Sequence, residues 1–367
     1  MKYVLALLLG ALELVQSAHA AGYRVETVAT GLVHPWSLAF LPGGRMLVTE
    51  RPGRLRLIEP GPDGRPQLRA EPVSGVPPVL AIGQAGLFDV VLDPNFSNNG
   101  ELLSFAHGTP EANNLRVVRA RSDGRQLLEV RPIFTSTPAK TDTQHFGGRM
   151  AWLDDGTLLF GMGDGNLERT DAQRLHTHLG KLLRIKADGG VPVDNPFVKR
   201  THALPEIYSF GHRNPQGVVV VGGVPYAHEH GARGGDELNR IEPGANYGWP
   251  VTTGGVDYTY ARITPYRSLP GMQPPLVEWT PSIAPAGLAW YDGALFPAWR
   301  NSLFVAALVE RSVRRVPMAG GVPGPQEILF QELGERIRDV RAGPDGAIFL
   351  LTDNPDGRVL RVLPTTP

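Results

Sequence analysis

A histidine stands in Thr143-Gln144-His145-Phe146-Gly147-Gly148-Arg149-Met150, between a glutamine and an aromatic ring, with two glycines behind it and a strand-like apolar run following at once. Imidazole titrates near neutrality, so His145 suits a general base that takes a proton from a hydroxyl. The glycines would let a flat ligand approach the backbone beside it. An isolated histidine is more often a surface or core-capping residue, so the segment needs partners before it signifies chemistry.

Four further segments depart from plain strand-and-turn sequence. Gln84 lies in AIGQAGLFDV, and SFGHRNPQG carries Arg213 and Asn214. Arginine offers a rigid, permanently charged fork for carboxylates or a developing oxyanion, and Pro215 fixes the backbone just after Asn214. A turn with a surface arginine is the plainer alternative. In ERIRDV, Arg336 and Arg338 alternate along a strand and point the same way. Two such charges repel unless an anion lies between or above them, so a carboxylated ligand is expected there, against the alternative of a solvated strand face. In HEHGARGGDELN, His228 and His230 share a strand face with Glu229 opposite, which is not the helical HExxH zinc spacing. Asp236, Glu237 and the carbonyls of the glycine-rich loop are hard oxygen donors that favour calcium; alternatively the acids cap turn amides.

The elements that must position these residues recur along the chain. An apolar strand, a turn, a second apolar strand and a basic-apolar strand repeat at Trp36–Pro60, at Met150 onward with Leu179–Ile185, and at Val340–Val362. Weaker copies are DVVLDPNFSNNGELLSFAHG, QGVVVVGGVPYAHEHG and AGLAWYDGALFPAWRNSLFVAALVERSVRRV. The dipeptides Gly43-Gly44, Asn99-Gly100, Asp155-Gly156, Gly222-Gly223 and Asp345-Gly346 separate apolar strands as hairpin turns do. About six units at a spacing of roughly 45–80 residues predict a six-bladed β-propeller, because no single unit can bury both faces of its sheet. A pair of β-sandwiches explains the strands but not the periodicity. In a propeller, polar residues at the repeat ends gather at one mouth of the central channel.

Composition narrows the function classes. With 367 residues, 42% of them apolar and 20% charged, the chain reads as globular, and its formal net charge is zero with no long basic run. Nucleic acid and electrostatic membrane attachment are therefore not expected. There is no cysteine, which rules out thiol chemistry, disulfides and cysteine-ligated metals. Lys2, the apolar VLALLLGAL and Ala18-His19-Ala20 have the layout of a secretory leader. The expected organisation is a leader at 1–20 and a single propeller domain at 21–367, periplasmic or secreted. No later segment is long and apolar enough for a membrane span, and no exposed apolar stripe argues against a monomer.

Seven segments in one order, GQAGL, HFGGR, LGKLLRI, GHRNPQG, HEHG…GGDELN, NYGWP and RIRDV, resemble the soluble pyrroloquinoline-quinone (PQQ)-dependent sugar dehydrogenases. The likeness is to soluble glucose dehydrogenase and, more closely, to the aldose sugar dehydrogenases, and it covers almost the whole mature chain. It implies oxidation of aldoses at C1 to the lactone, with PQQ and Ca2+ as cofactors and an external quinone or small redox protein as electron acceptor. It makes His145 the base that takes the C1 hydroxyl proton and Arg213 the group that stabilises charge arriving on the quinone. Gln84, Asn214, Ser282, Arg336 and Arg338 become cofactor contacts. The carbonyls of Gly231 and Ala232 become ligands of the cofactor's calcium, and Glu237 and Tyr247 a further calcium site. Three positions depart from the pattern. Gln144 replaces an acid before the base, which leaves no adjacent carboxylate to fix the tautomer of His145. Val309 stands where the family often has a lysine, which implies one carboxylate contact fewer. Ser282 replaces a threonine. A calcium-dependent propeller hydrolase of lactonase type and a non-catalytic binding propeller are the competing classes. The sugar itself depends on long loops such as 254–270.

Overall fold

The computed structural model describes residues 22–365, so the expected leader and its cleavage site lie outside the described residues. Six antiparallel sheets follow one another along the chain. Their innermost strands are Pro35–Leu41, Leu87–Leu92, Met150–Trp152, Pro215–Val221, Pro285–Tyr291 and Ile337–Ala342. Five sheets have four strands and one has five, and the ring is the six-bladed propeller that the repeats predict. It is closed by a strand without a repeat signature: Tyr23–Leu32 pairs antiparallel with the C-terminal strand Gly357–Pro364, with Tyr23 opposite Pro364. The first and last strands of the described residues thus complete one blade.

Each blade buries both faces, which is why its strands read as continuous apolar runs rather than as strict alternations. Neighbouring residues on one strand enter different cores. Leu102 packs into the gap toward the following blade and Leu103 into the gap toward the preceding one. Leu350 and Leu351 divide in the same way, as do Leu303 and Phe304. Six apolar clusters fill the six gaps between blades.

Turn chemistry follows the expected dipeptides with one exception. Gly222 and Gly223 close a two-residue hairpin between Val221 and Val224 with φ of 54° and 79°, the left-handed pair that a type I′ turn requires. Asn99-Gly100 is not such a turn. Leu92 pairs with Glu101, and residues 93–100 between them include the short helix Phe96–Asn99. Three of the innermost strands begin with proline, at 35, 215 and 285. A missing N–H is tolerated there because one edge of an innermost strand faces the channel and needs no donor.

Candidate active site

The innermost strands are irregular at their starts. Register breaks lie between Pro35 and Ser37, Leu87 and Val90, Pro215 and Gly217, Pro285 and Leu288, and Ile337 and Asp339. A bulge re-aims the side chain it leaves unpaired. Trp36, Phe88, Gln216 and Arg338 are left unpaired in this way, and all four line a cavity of about 510 Å³ at that mouth. Gln84, Phe146, Asn214 and Arg336 line it too.

His145 stands beside this cavity, buried, with φ of 52°. Its Nδ1 lies 2.7 Å from Oδ1 of Asp164, which also accepts the Asn166 amide at 2.8 Å. The second oxygen of Asp164 accepts the Trp249 indole N–H at 2.7 Å. A carboxylate there requires the proton on Nδ1 and leaves the Nε2 lone pair free to accept another. Burial pushes the imidazole below its ordinary pKa, and the hydrogen bond and charge of Asp164 oppose that without cancelling it. Burial would raise the Asp164 carboxyl, yet the bond and charge of His145, with Arg213 and the Asn166 amide, hold it below the usual range. The expectation that no carboxylate fixes the tautomer is therefore corrected. The acid comes not from position 144 but from across the hairpin. Met150 pairs with Phe160, and extending that register places His145 level with Gly165, one residue from Asp164. This alignment was open to reading in the sequence.

The two glycines after His145 answer first to the protein. A Cβ on Gly147 would meet the Gly161 carbonyl at 2.5 Å, and one on Gly148 would meet the Phe88 ring at 2.9 Å. Gly147 does border the cavity, but the close packing of neighbouring backbone and ring is what excludes a side chain at both positions.

Arg213 and Asn214 leave the preceding blade at the same mouth. Arg213 donates from Nη1 to the carbonyls of Gly231 and His230, the latter at 3.3 Å, and its backbone N–H donates to Glu229. With His145, Asp164, Trp249 and Tyr258 it walls a small adjoining space. Asn214 Oδ1 accepts from the Gly147 amide at 3.2 Å. Gln84 Oε1 accepts the His145 amide at 3.0 Å, so this glutamine holds the backbone at His145 as well as lining the cavity.

Arg336 and Arg338 share Asp353, with Nη2 to Oδ2 distances of 3.2 and 2.9 Å. The anion demanded by their proximity is thus partly internal. His34 approaches the other oxygen of Asp353 at 3.2 Å. Burial would raise the Asp353 carboxyl, but Arg338, the His34 bond and Arg336 hold it well below the ordinary range. Arg338 Nε remains buried without a partner among the described residues. Val309 borders the same cavity.

The remaining candidates are placed less directly. Ser282 donates to Asp236 at 2.6 Å and does not line the cavity, whereas Ala284 does. Asp236 also accepts the amides of Gly231 and Ala284, at 2.8 and 3.0 Å, which is the capping role. Glu229 accepts from His212 Nδ1 at 2.8 Å. Glu237 lies beside Glu229 in a small space lined also by Gly231 and Gly235, and burial reinforced by Glu229 pushes its carboxyl up to about 8. The Tyr247 hydroxyl donates to the Arg240 carbonyl at 2.6 Å and accepts the Glu242 amide at 2.9 Å, so it ties a turn instead of facing Glu237. Among the described residues no group of three or more acids or histidines is arranged to hold a metal.

Behind the Trp36 wall of the cavity lies a buried charge cluster absent from the expected site. Arg149 lies 3.4 Å from Asp89 and 3.0 Å from Asp339. Arg341 lies 3.0 Å from Asp89 and 2.8 Å from Asp339. Arg149 also stacks 4.0 Å from the Trp36 ring centroid, backing a ring that lines the cavity.

The chain belongs to the Glucose / Sorbosone dehydrogenase family, whose profile matches residues 32–361. It is 38% identical to the aldose sugar dehydrogenase YliI of Escherichia coli, over 95% of this chain and 94% of that protein. A crystal structure of a glucose dehydrogenase superimposes with a TM-score of 0.89 at 42% identity, covering 94% of this chain and 100% of the other. The PQQ-bound aldose sugar dehydrogenase of Streptomyces coelicolor superimposes with a TM-score of 0.75 at 27% identity, covering 94% and 99%. No helix among the described residues is long and apolar enough to cross a membrane.

Proposed function

We propose that this chain oxidises aldose sugars at C1 to the lactone, with PQQ as the resident oxidant and calcium bound beside it. The observation that carries the reading is charge imbalance next to an oriented base. Arg51, Arg336 and Arg338 line the cavity against the single carboxylate of Asp353, and the buried Arg338 Nε lacks a partner among the described residues. A polyanionic, flat cofactor fits that cradle. Gln84, Asn214, Arg336 and Arg338 would hold it, and it would supply a two-electron acceptor for hydride. Ser282 would act only through Asp236.

His145 Nε2 takes the proton of the sugar's C1 hydroxyl, and Asp164 stabilises the imidazolium that results. Arg213 supplies a fixed positive charge where negative charge develops, which costs no reorganisation in a buried site. For calcium, the chain offers the carbonyls of Gly231 and Ala232, and Gly231 already accepts from Arg213. That donor set is incomplete alone and would be completed by oxygens of the cofactor. Glu237 is the candidate for a further calcium site, without the Tyr247 hydroxyl, which is taken up by the Arg240–Glu242 turn. Residues 21–367 act as one catalytic unit after removal of a leader at 1–20. The product works outside the cytoplasm as a monomer and passes electrons to a quinone or small redox protein.

The test is reduction of an artificial dye by a panel of aldoses with PQQ and calcium added, alongside His145→Ala and a chelated sample. Turnover that needs PQQ, calcium and His145 is expected. Failure of the wild-type chain to bind PQQ would overturn the reading.

A further inference from the structure

We infer that Arg51 is a dedicated carboxylate clamp of the large cavity, acting beside Arg336 and Arg338 on a separate acid group of the bound polyanion. The inference rests on the PQQ reading above. Arg51, Arg336 and Arg338 are the lining side chains with a permanent positive charge, while the side chains of Leu308 and Val309 add only apolar surface. Arg336 and Arg338 divide part of their bonding capacity over Asp353. Arg51 does not. The one side-chain hydrogen bond it makes among the described residues goes to the Gly83 carbonyl at 2.5 Å.

The arm is built into place. The Arg51 amide donates to the His34 carbonyl at 3.0 Å, and its own carbonyl accepts the Leu87 amide at 2.9 Å. Its stem fills the space that a side chain on Gly86 would occupy, since a Cβ there would lie 2.4 Å from Arg51 Cγ. Burial and the repulsion of Arg338 both work against the Arg51 charge, and Asp353 offsets them only in part. A guanidinium that is fixed in position, faces another cation and lacks its own acid is poised for an anion from outside. A tricarboxylate provides one acid group more than a site built on Arg336 and Arg338 alone would engage.

The experiment is a PQQ titration of the calcium-loaded protein, followed by fluorescence quenching, for the wild type, Arg51→Gln, Arg51→Lys and Arg336→Gln. Thermal melts check that each variant is folded. Arg51→Gln should weaken PQQ about 10- to 100-fold, the range of one charge-assisted hydrogen bond, and Arg51→Lys less. With the PQQ trimethyl ester, wild type and Arg51→Gln should bind alike. Binding of PQQ by Arg51→Gln within about twofold of wild type, while Arg336→Gln weakens it, would overturn the inference and leave the PQQ reading intact. An equal loss with the ester would show that Arg51 only shapes the cavity, which also overturns the inference. Absence of PQQ binding by the wild type would overturn both.

Discussion

Replacing Asp164 by asparagine removes one charge and one acceptor from a carboxylate that receives three donors. Oδ1 accepts from His145 Nδ1 and the Asn166 amide, and Oδ2 from the Trp249 indole. Asparagine has one oxygen to offer. If that oxygen stays on His145, the new NH2 confronts the indole N–H across a 2.7 Å contact, leaving a buried donor unsatisfied at a cost of about 1–3 kcal/mol. The imidazolium formed during proton abstraction then also loses its counter-charge, worth about 4 kcal/mol for unit charges 4 Å apart at an effective dielectric near 20. If the amide turns, its NH2 faces Nδ1, the imidazole proton moves to Nε2, and the nitrogen that should accept becomes a donor. Either arrangement disables the base, whose contribution is about 10²- to 10⁴-fold. Asp164→Asn should therefore lower kcat by about 10²- to 10⁴-fold in the dye-linked assay, with PQQ affinity unchanged in a direct titration. The pH profile supplies a second readout. His145 must be neutral to accept a proton, so the rate rises with pH through its pKa, which burial sets below the ordinary value despite the Asp164 charge. Removing that charge lowers the pKa further, and the acid limb of the residual activity should move to lower pH. A variant with kcat within tenfold of wild type and an unmoved acid limb would refute the assignment of Asp164 as the group that orients the base.

Arg149→Met should destabilise the fold by about 3–5 kcal/mol, because it strands Asp89 and Asp339 without one of their two guanidinium partners; chemical unfolding of the apo-protein would read this, and a loss under about 1 kcal/mol would count against this buried pairing. Acid should unfold the protein through its buried histidines. Burial pushes His228 down to about 3 and His230 down to about 4, whereas in the unfolded chain both titrate near 6.5. Below about 6.5 the unfolded state binds more protons, so stability falls as pH drops, by on the order of 2 kcal/mol per histidine at pH 5. Unfolding midpoints at pH 7 and pH 5 for wild type and His228→Gln should show a smaller pH difference in the variant, and equal differences would remove His228 as a contributor.

How far the chain could be read from one dimension depends on the range of the interactions. The six blades were legible because each is a local unit: strands such as Arg45–Glu50 and Arg54–Pro60 pair through short turns, and glycine and aspartate mark those turns. His145, Arg213 and the Arg336/Arg338 pair could be singled out as candidates because repeat ends gather at one mouth and their residue types are unusual there. Closure of the ring was not legible, since the pairing of Tyr23 with Pro364 joins residues from opposite ends of the chain. Nor could local pattern show the register breaks that turn Trp36, Phe88, Gln216 and Arg338 into the cavity, because a bulge changes one residue's pairing without changing its type. Asp164 is intermediate: hairpin register brings it within one residue of the position opposite His145, but only the fold brings Trp249 from another blade to hold its second oxygen. The role of Asp236, and with it the position of Ser282, was set by amides from two loops that meet only in space. Residue type and short-range spacing determine which groups are present and on which element they ride. Which oxygen faces which proton is decided by packing between blades, where a shift of one residue re-aims a side chain.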